Sequence, residues 1–379
     1  MEKIVIVMPS YNEAENITRM IPALFDEEFP KISGAEMHLL VVDDNSPDGT
    51  GKVVQENKSK YKNLHLLEGQ KQGLGWAYIR GFKYAIGELG ADAVMEMDAD
   101  FQHPPRFVKP MVDAYLDGAD YVIGSRYIKG GSVPKEWAMS RKLVSFFGNL
   151  FIRLVLLKPK IHDLTTGFRL TRVKGVLDKI DLDNLMEPER FAYKVDLLYQ
   201  SIKNSKKVVE VPLEFAPRTE DVSKFNPKEM IATFKVAIIL GIKDKQRFIK
   251  FGTVGFIGYI INASFLYLFS KRGFPEWASW AGSTELAIIS NFTLNNLWTF
   301  SSEKISGVGK LISKFLQFNL TSAGALAIQT GVGTVGVMIL GPQYRQIILP
   351  FIIVFLVLPY NYAMYNIVIW KTWKIPGFK

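Results

Sequence analysis

The feature that most constrains this chain is a change of character near Phe248. Four long apolar stretches follow it in series: Gly252–Phe269, Ala278–Phe300, Phe318–Leu340 and Ile347–Trp370. At about 1.5 Å of rise per residue, a helix over any of them spans the roughly 30 Å hydrocarbon layer of a bilayer. Four such helices in a row are foreign to a water-soluble core, so the pattern predicts an all-α, four-span transmembrane domain over residues 248–379. Polar residues inside these stretches, among them Asn262, Asn291, Asn296 and Asn366, read as packing contacts between helices.

Charge placement gives the orientation. Lys243, Lys245, Arg247 and Lys250 precede the first stretch, Lys304, Lys310 and Lys314 separate the second from the third, and Lys371, Lys374 and Lys379 follow the fourth. The other side carries only Lys271, Arg272 and Arg345. The positive-inside rule then places the N-terminal half and the C-terminus in the cytoplasm, as parts of a multi-pass integral membrane protein. Met1 runs directly into an apolar strand, so no signal peptide is expected. The 46 Lys and Arg against 37 Asp and Glu leave a formal charge of +9. Much of that excess clusters at predicted span ends and surface helices, so it marks a lipid bilayer and phosphate-bearing substrates, with no nucleic-acid partner.

The first ~220 residues have another rhythm. β-Branched runs at Lys3–Met8, Met37–Val42, Leu64–Leu67, Ala93–Met97 and Tyr121–Gly124 alternate with helical patterns at Glu13–Phe25, Thr50–Lys58, Trp76–Glu88 and Arg106–Leu116. Apolar strands separated by helices predict an α/β domain over residues 1–225 with a mainly parallel sheet covered on both faces. Two further segments, 137–157 and 226–247, combine apolar residues with interrupting cations and predict helices lying at the membrane surface.

Ligands of such sheets bind beyond the carboxyl ends of the strands, so the residues following each strand hold the chemistry. Asp98-Ala99-Asp100-Phe101-Gln102 is the strongest signal. Two carboxylates spaced i, i+2, with an amide oxygen two residues on, suit Mg²⁺ or Mn²⁺ shared with substrate phosphates. Pro9-Ser10-Tyr11-Asn12-Glu13 offers a ring to stack on a base and a carboxylate to accept its N–H groups, and Ser10 or Asn12 also reads as a helix cap. Val42-Asp43-Asp44 provides a carboxylate for a ribose, while Ser46-Pro47-Asp48-Gly49 reads as a turn and cap. Arg126, after the fifth strand, and Arg218 and Lys224, after the predicted strand Val208–Phe215, are cations able to clamp a diphosphate. The chain has no cysteine, which excludes disulfides, Cys-ligated metals and a thiol nucleophile. No P-loop or nucleophile elbow is present, and the four histidines lack metal-ligand spacing.

In combination, PSYNEAENI, VVDDNSPDGT, GLGWAYIRGF, DADFQHPP, GSRYIKGG and TTGFRL resemble the dolichyl- or polyprenyl-phosphate mannose synthases, inverting family 2 glycosyltransferases of GT-A fold. The likeness covers roughly residues 3–225. SNFTLNNLWTF, Ser290–Phe300, resembles the small four-helix membrane proteins associated with O-antigen glucosylation. The resemblance implies transfer of mannose from GDP-mannose to polyprenyl or dolichyl phosphate, with Mg²⁺ or Mn²⁺. It implies that Pro9, Tyr11, Glu13, Val42 and Asp44 hold the nucleotide. Asp98, Ala99 and Asp100 contact donor and metal, with Asp100 and Gln102 as direct ligands. Arg126, Arg218 and Lys224 hold the diphosphate, and Arg141 and Ser145 hold the acceptor's phosphate. Asn45 and the stretch Asp181–Val195 depart from the family's pattern. Two other readings stay open: a UDP-glucose-dependent enzyme, and a lipid transporter or scaffold that binds without turnover.

Overall fold

Residues 1–217, 227–341, 344, 348 and 351–373 are described by a computed structural model. Arg218 and Lys224 lie outside the described residues, as does the start of the fourth apolar stretch. The chain divides into two compact units, Met1–Gly241 and Ile242–Lys379.

In the first unit the β-branched runs form strands where the sequence predicts them. β1 (Glu2–Ser10), β2 (Ala35–Asp43), β3 (Leu64–Glu68), β4 (Ala93–Glu96), β5 (Tyr121–Ser125), β6 (Arg169–Arg172) and β7 (Val208–Pro212) make one sheet, ordered β3-β2-β1-β4-β6-β5-β7. Pairing is parallel except at β6, which runs antiparallel to both β4 and β5. The mainly parallel α/β architecture is as expected, but β6 has no counterpart in the sequence reading. Its sequence, RLTR, lacks an apolar run. Arg169 is fully buried all the same, 4.0 Å from the buried carboxylate of Glu96.

Alternation along β1 builds two layers. Ile4, Ile6 and Met8 face a core with Ile17 and Met20 of α1 (Ala14–Pro22) and Met111 and Tyr115 of α4 (Val108–Leu116). Val5 and Val7 face the other side, with Ala77, Tyr78 and Phe82 of α3 (Leu74–Gly87) and Tyr193 and Leu197 of α6 (Tyr193–Asn204). Gly81 lets α3 sit close to the sheet, since a Cβ there would meet Val7 Cγ1 at 2.3 Å. α2 (Thr50–Asn57) follows β2. A third core joins Tyr121 and Ile123 of β5 to Ile152 of α5 (Met139–Val155) and to Val236 and Leu240 further along the chain.

α5 covers most of the segment expected at the membrane surface. Met139, Phe147 and Leu154 are 68%, 57% and 65% exposed, beside Arg141, Lys142 and Arg153. α7 (Pro227–Lys271) runs without a break from residue 227 into the first apolar stretch.

The second unit is helical: the rest of α7, then α8 (Glu276–Leu294), α9 (Val308–Leu340) and α10 (Leu358–Met364). Among the described residues, one helix, Lys228–Phe269, is long and apolar enough to cross a membrane by length and composition. An aromatic cluster ties its elements together: Phe300 stacks on Trp370 at 4.2 Å and Phe318 on Tyr365 at 4.3 Å. Asn296 pairs with the backbone of Ile305 in both directions, at 2.7 and 3.0 Å, and its Oδ1 also accepts from Trp370 Nε1 at 3.3 Å.

Candidate functional site

The ends of β1, β2, β4 and β5 open onto one cleft of about 390 Å³. Pro9 lies near the end of β1 and Tyr11 follows it, Asp44 follows β2, Asp98 and Asp100 follow β4, and Arg126 follows β5; all six line it. Glu13, Ala99 and Gln102 line it too. Val42 does not: it is fully buried in the layer that packs on α3. Arg141 and Ser145 lie on α5, outside the cleft lining. Ser145 is nevertheless one contact away from Arg126, because its hydroxyl meets Tyr127 Oη at 2.6 Å. Arg141 stacks over Trp137 with 3.8 Å to the ring centroid.

The Asp-Ala-Asp turn is shaped by a left-handed residue. Phe101 has φ of 59°, a conformation disfavoured without glycine, and its ring packs under Arg19 at 5.0 Å. The turn closes when Gln102 N–H donates to Asp100 Oδ1 at 3.1 Å. Asp100 and Gln102 are both only 8% exposed. Their oxygens are hard donors of the kind Mg²⁺ and Mn²⁺ prefer. Among the described residues no group of three or more His, Asp or Glu converges on one point.

Asp98 sits half-buried at the cleft floor and accepts from Tyr78 Oη at 2.8 Å and from Lys194 Nζ at 3.5 Å. Burial alone would raise its pKa; the charge of Lys194 leads the groups that overcome it and hold the carboxyl down at about 2. His103 supports the same turn by accepting the Asp98 N–H on Nδ1 at 3.1 Å. Burial pushes this histidine down to about 4, so it stands neutral.

Arg126 is held by Asp163 in the loop before β6. Its Nε and Nη2 donate to Oδ2 and Oδ1 at 2.7 and 2.8 Å, and Nη2 also donates to Thr165 Oγ1 at 2.7 Å. Burial would raise the pKa of Asp163, and the facing guanidinium overcomes this and holds it below the usual carboxylate range. Asp44 is buried and paired with Arg80. Lys71 stands over the Tyr11 ring, 3.3 Å from its centroid, and Glu13 accepts from Asn16 Nδ2 at 2.6 Å.

The Asn-Ser-Pro-Asp-Gly-Thr segment caps two helices at once. Asp48 Oδ1 accepts from the Thr50 N–H at 3.0 Å, and Asp48 Oδ2 accepts from the Ala14 N–H at 3.0 Å. Ser46 and Thr50 accept from the N–H groups of Asn12 and Glu13, each at 3.0 Å. The first turn of α1 is therefore capped from the neighbouring loop, and neither Ser10 nor Asn12 caps it. Sequence reasoning missed Tyr78, which stands inside the GLGWAYIRGF motif on α3, Asp163, two residues before TTGFRL, and Phe191 and Lys194, which lie outside every motif and reach the site at the start of α6; of the four, Phe191 lines the cleft.

The profile of Glycosyl transferase family 2 matches residues 5–178, and that of the GtrA/DPMS transmembrane domain matches residues 250–370. The chain is 34% identical over 331 residues to the dolichol-phosphate mannosyltransferase of Pyrococcus furiosus, covering 86% of this chain and 88% of that protein. It is 37% identical over 251 residues to the polyprenol monophosphomannose synthase of Mycolicibacterium smegmatis, covering 65% of this chain and 91% of that one. With the undecaprenyl-phosphate mannosyltransferase of Micrococcus luteus it shares 36% identity over 225 residues, 59% and 88% of the two chains. The chain therefore belongs to glycosyl transferase family 2, as a membrane glycosyltransferase whose α/β GT-A domain is joined to a GtrA/DPMS transmembrane domain.

Proposed function

We propose that the protein transfers mannose from GDP-mannose to polyprenyl or dolichyl phosphate at the cytoplasmic face of a membrane, with inversion at the anomeric carbon. The observation that supports this most is the meeting of Asp98, Asp100, Gln102 and Arg126 in one cleft at the strand ends. The three similar proteins named above are all mannose transferases to polyprenol-type phosphates by name. The non-catalytic scaffold reading gives way to membership of a transferase family.

In this reading Pro9, Tyr11 and Glu13 receive the base, and the segment from Val42 to Asp44 receives the ribose. Asp98 and Ala99 contact the sugar end of the donor, and Arg126, with Arg218 and Lys224, receives the diphosphate. Asp100 and Gln102 would hold Mg²⁺ or Mn²⁺, which would supply neutralisation of charge on the leaving diphosphate. Arg141 and Ser145 receive the acceptor's phosphate on α5, whose exposed apolar residues and cations suit a membrane surface.

The chemistry needs no protein base. A lipid monophosphate has a second pKa near ~6, so its oxygen is already largely ionised at neutral pH. One of its oxygens forms the new bond to the anomeric carbon while the bond from that carbon to the nucleoside diphosphate breaks, and the electron pair leaves with the diphosphate. Attack from the opposite face converts an α-linked donor into a β-linked lipid phosphosugar. The protein's task is to bring two anions together and stabilise the leaving charge, which preorganised cations do.

The apolar stretches act as a four-span anchor with their basic flanks in the cytoplasm. Donor choice by the full-length protein tests the proposal: preference for UDP-glucose over GDP-mannose would assign glucose in place of mannose.

A further inference from the structure

Lys194 lies behind the cleft wall and is fully buried. Its backbone carbonyl accepts from Arg169 Nη1 at 2.6 Å, which fixes the start of α6 against β6. Its ammonium stands over the rings of Tyr78 and Phe191, 4.7 and 5.3 Å from their centroids. Gly167, on the cleft wall, leaves room for it: a Cβ there would come within 2.4 Å of Nζ. Burying an ammonium is costly unless an anion meets it. The anion that meets it is Asp98, whose Oδ1 lies 3.5 Å away.

Tyr78 Oη donates to that same Oδ1 at 2.8 Å. Two donors from the core side, on α3 and α6, thus converge on one oxygen of the carboxylate. Among the described residues no donor reaches Oδ2. Its neighbour there is His103 Nδ1 at 3.8 Å, and that nitrogen already accepts the Asp98 N–H. One oxygen of Asp98 is anchored and the other is left as an acceptor on the side of Gly167, where a Cβ would stand 3.5 Å from it.

We propose that Lys194, together with Tyr78, is a positioning residue: it anchors Asp98 through Oδ1 and so presents Oδ2 to a hydroxyl of the donor's hexose. This rests on the donor reading given above and adds to it how the sugar, as distinct from the nucleotide, is oriented. A carboxylate free to turn about its last torsion loses that freedom when it binds a hydroxyl; one already held has paid none of it at the moment of binding. The ammonium also offsets the negative charge that Asp98, Asp100 and a diphosphate bring to one small volume. Glu96, the other carboxylate nearby, is buried beside Arg169 and is not exposed to the cleft.

The test uses the purified full-length protein and its Lys194→Met, Tyr78→Phe, Asp98→Asn and Asp98→Asn/Lys194→Met variants. Binding of GDP alone and of GDP-mannose is measured with Mn²⁺ present, alongside initial rates of transfer. Lys194→Met is expected to weaken GDP-mannose about 10-fold, the worth of a charged hydrogen bond, and to leave GDP within about 2-fold. In the Asp98→Asn background the same change is expected to add less than about 2-fold, because its target is already gone. Equal loss of GDP and GDP-mannose would overturn the proposal, as would multiplied effects in the double variant. If Lys194→Met does not fold, Tyr78→Phe carries the same comparison with a smaller expected effect, about 3-fold. Wild-type protein that binds GDP but gains nothing from the sugar would overturn the donor reading itself; wild-type that gains from the sugar and a variant that gains equally would overturn only the role of Lys194.

Discussion

Arg126 and Asp163 meet as a buried fork, Nε and Nη2 of the one donating to the two carboxylate oxygens of the other at 2.7 and 2.8 Å. Asp163 is fully buried and Arg126 is 9% exposed, yet the guanidinium lines the cleft. In the proposed function, where Arg126 receives the diphosphate, Asp163 sets the position of that cation. Asp163→Asn is predicted to cost about 3–5 kcal/mol of stability, because it leaves a buried cation poorly compensated. It is also predicted to slow transfer about 10- to 100-fold by releasing Arg126 from its orientation. Denaturant unfolding and initial rates check both, and a loss below about 1 kcal/mol would contradict the first.

Asp100→Ala removes the carboxylate that closes the turn with Gln102 and that the proposed function assigns to the metal. It is predicted to reduce transfer by at least about 100-fold, the scale of losing electrostatic stabilisation of a leaving group. It is also predicted to abolish the gain in GDP affinity that added Mn²⁺ gives the wild-type protein. Binding isotherms with and without the ion read the second effect directly, and unchanged dependence on Mn²⁺ would place the ion elsewhere.

Much of this was legible in the sequence, and what was not has physical causes. β1, β2, β4 and β5 are apolar runs ending at Ser10, Asp43, Glu96 and Ser125, so the sheet and the position of the chemistry at its edge followed from periodicity. β6 carries Arg169 and Arg172, and its burial depends on Glu96 four residues before Asp100, a pairing that only the folded sheet brings about. α6 joins the site through Lys194, a residue that reads as a surface cation until the structure buries it against Asp98. Ser46 was legible as a turn residue and Thr50 as the start of a helix, but neither as a partner of Asn12 or Glu13, because capping between loops has no local signature.

The proposed function puts the acceptor on a different element from the donor. Arg141 is on α5 over Trp137 and outside the cleft lining, whereas Arg126 is inside it. Arg141→Ala is predicted to raise the KM for polyprenyl phosphate about 10-fold, the worth of one charged contact, while GDP affinity stays within about 2-fold. Equal loss on both sides would contradict the assignment.

The edge of the sheet responds to pH apart from the cleft. His38 Nδ1 and His65 Nε2 face each other at 3.0 Å across β2 and β3. Burial, followed by the charge of His38, pushes His65 down to about 4. The folded protein then binds fewer protons than the unfolded chain between about 4 and the ordinary ~6.5. The stability this group contributes is complete above ~6.5 and is lost as the pH falls toward about 4. His65→Gln is predicted to flatten the dependence of the unfolding midpoint on pH over that interval, and an unchanged slope would contradict it.

The central claim is transfer of mannose onto a lipid phosphate at a single metal-dependent cleft. Its most direct test supplies full-length protein in detergent with polyprenyl phosphate, Mn²⁺ and either GDP-mannose or UDP-glucose, and identifies the glycolipid by mass and anomeric configuration. The account predicts β-linked polyprenyl-phosphate mannose from GDP-mannose, and none after chelation of the metal. A product formed from UDP-glucose alone, or an α-linked product, would contradict it.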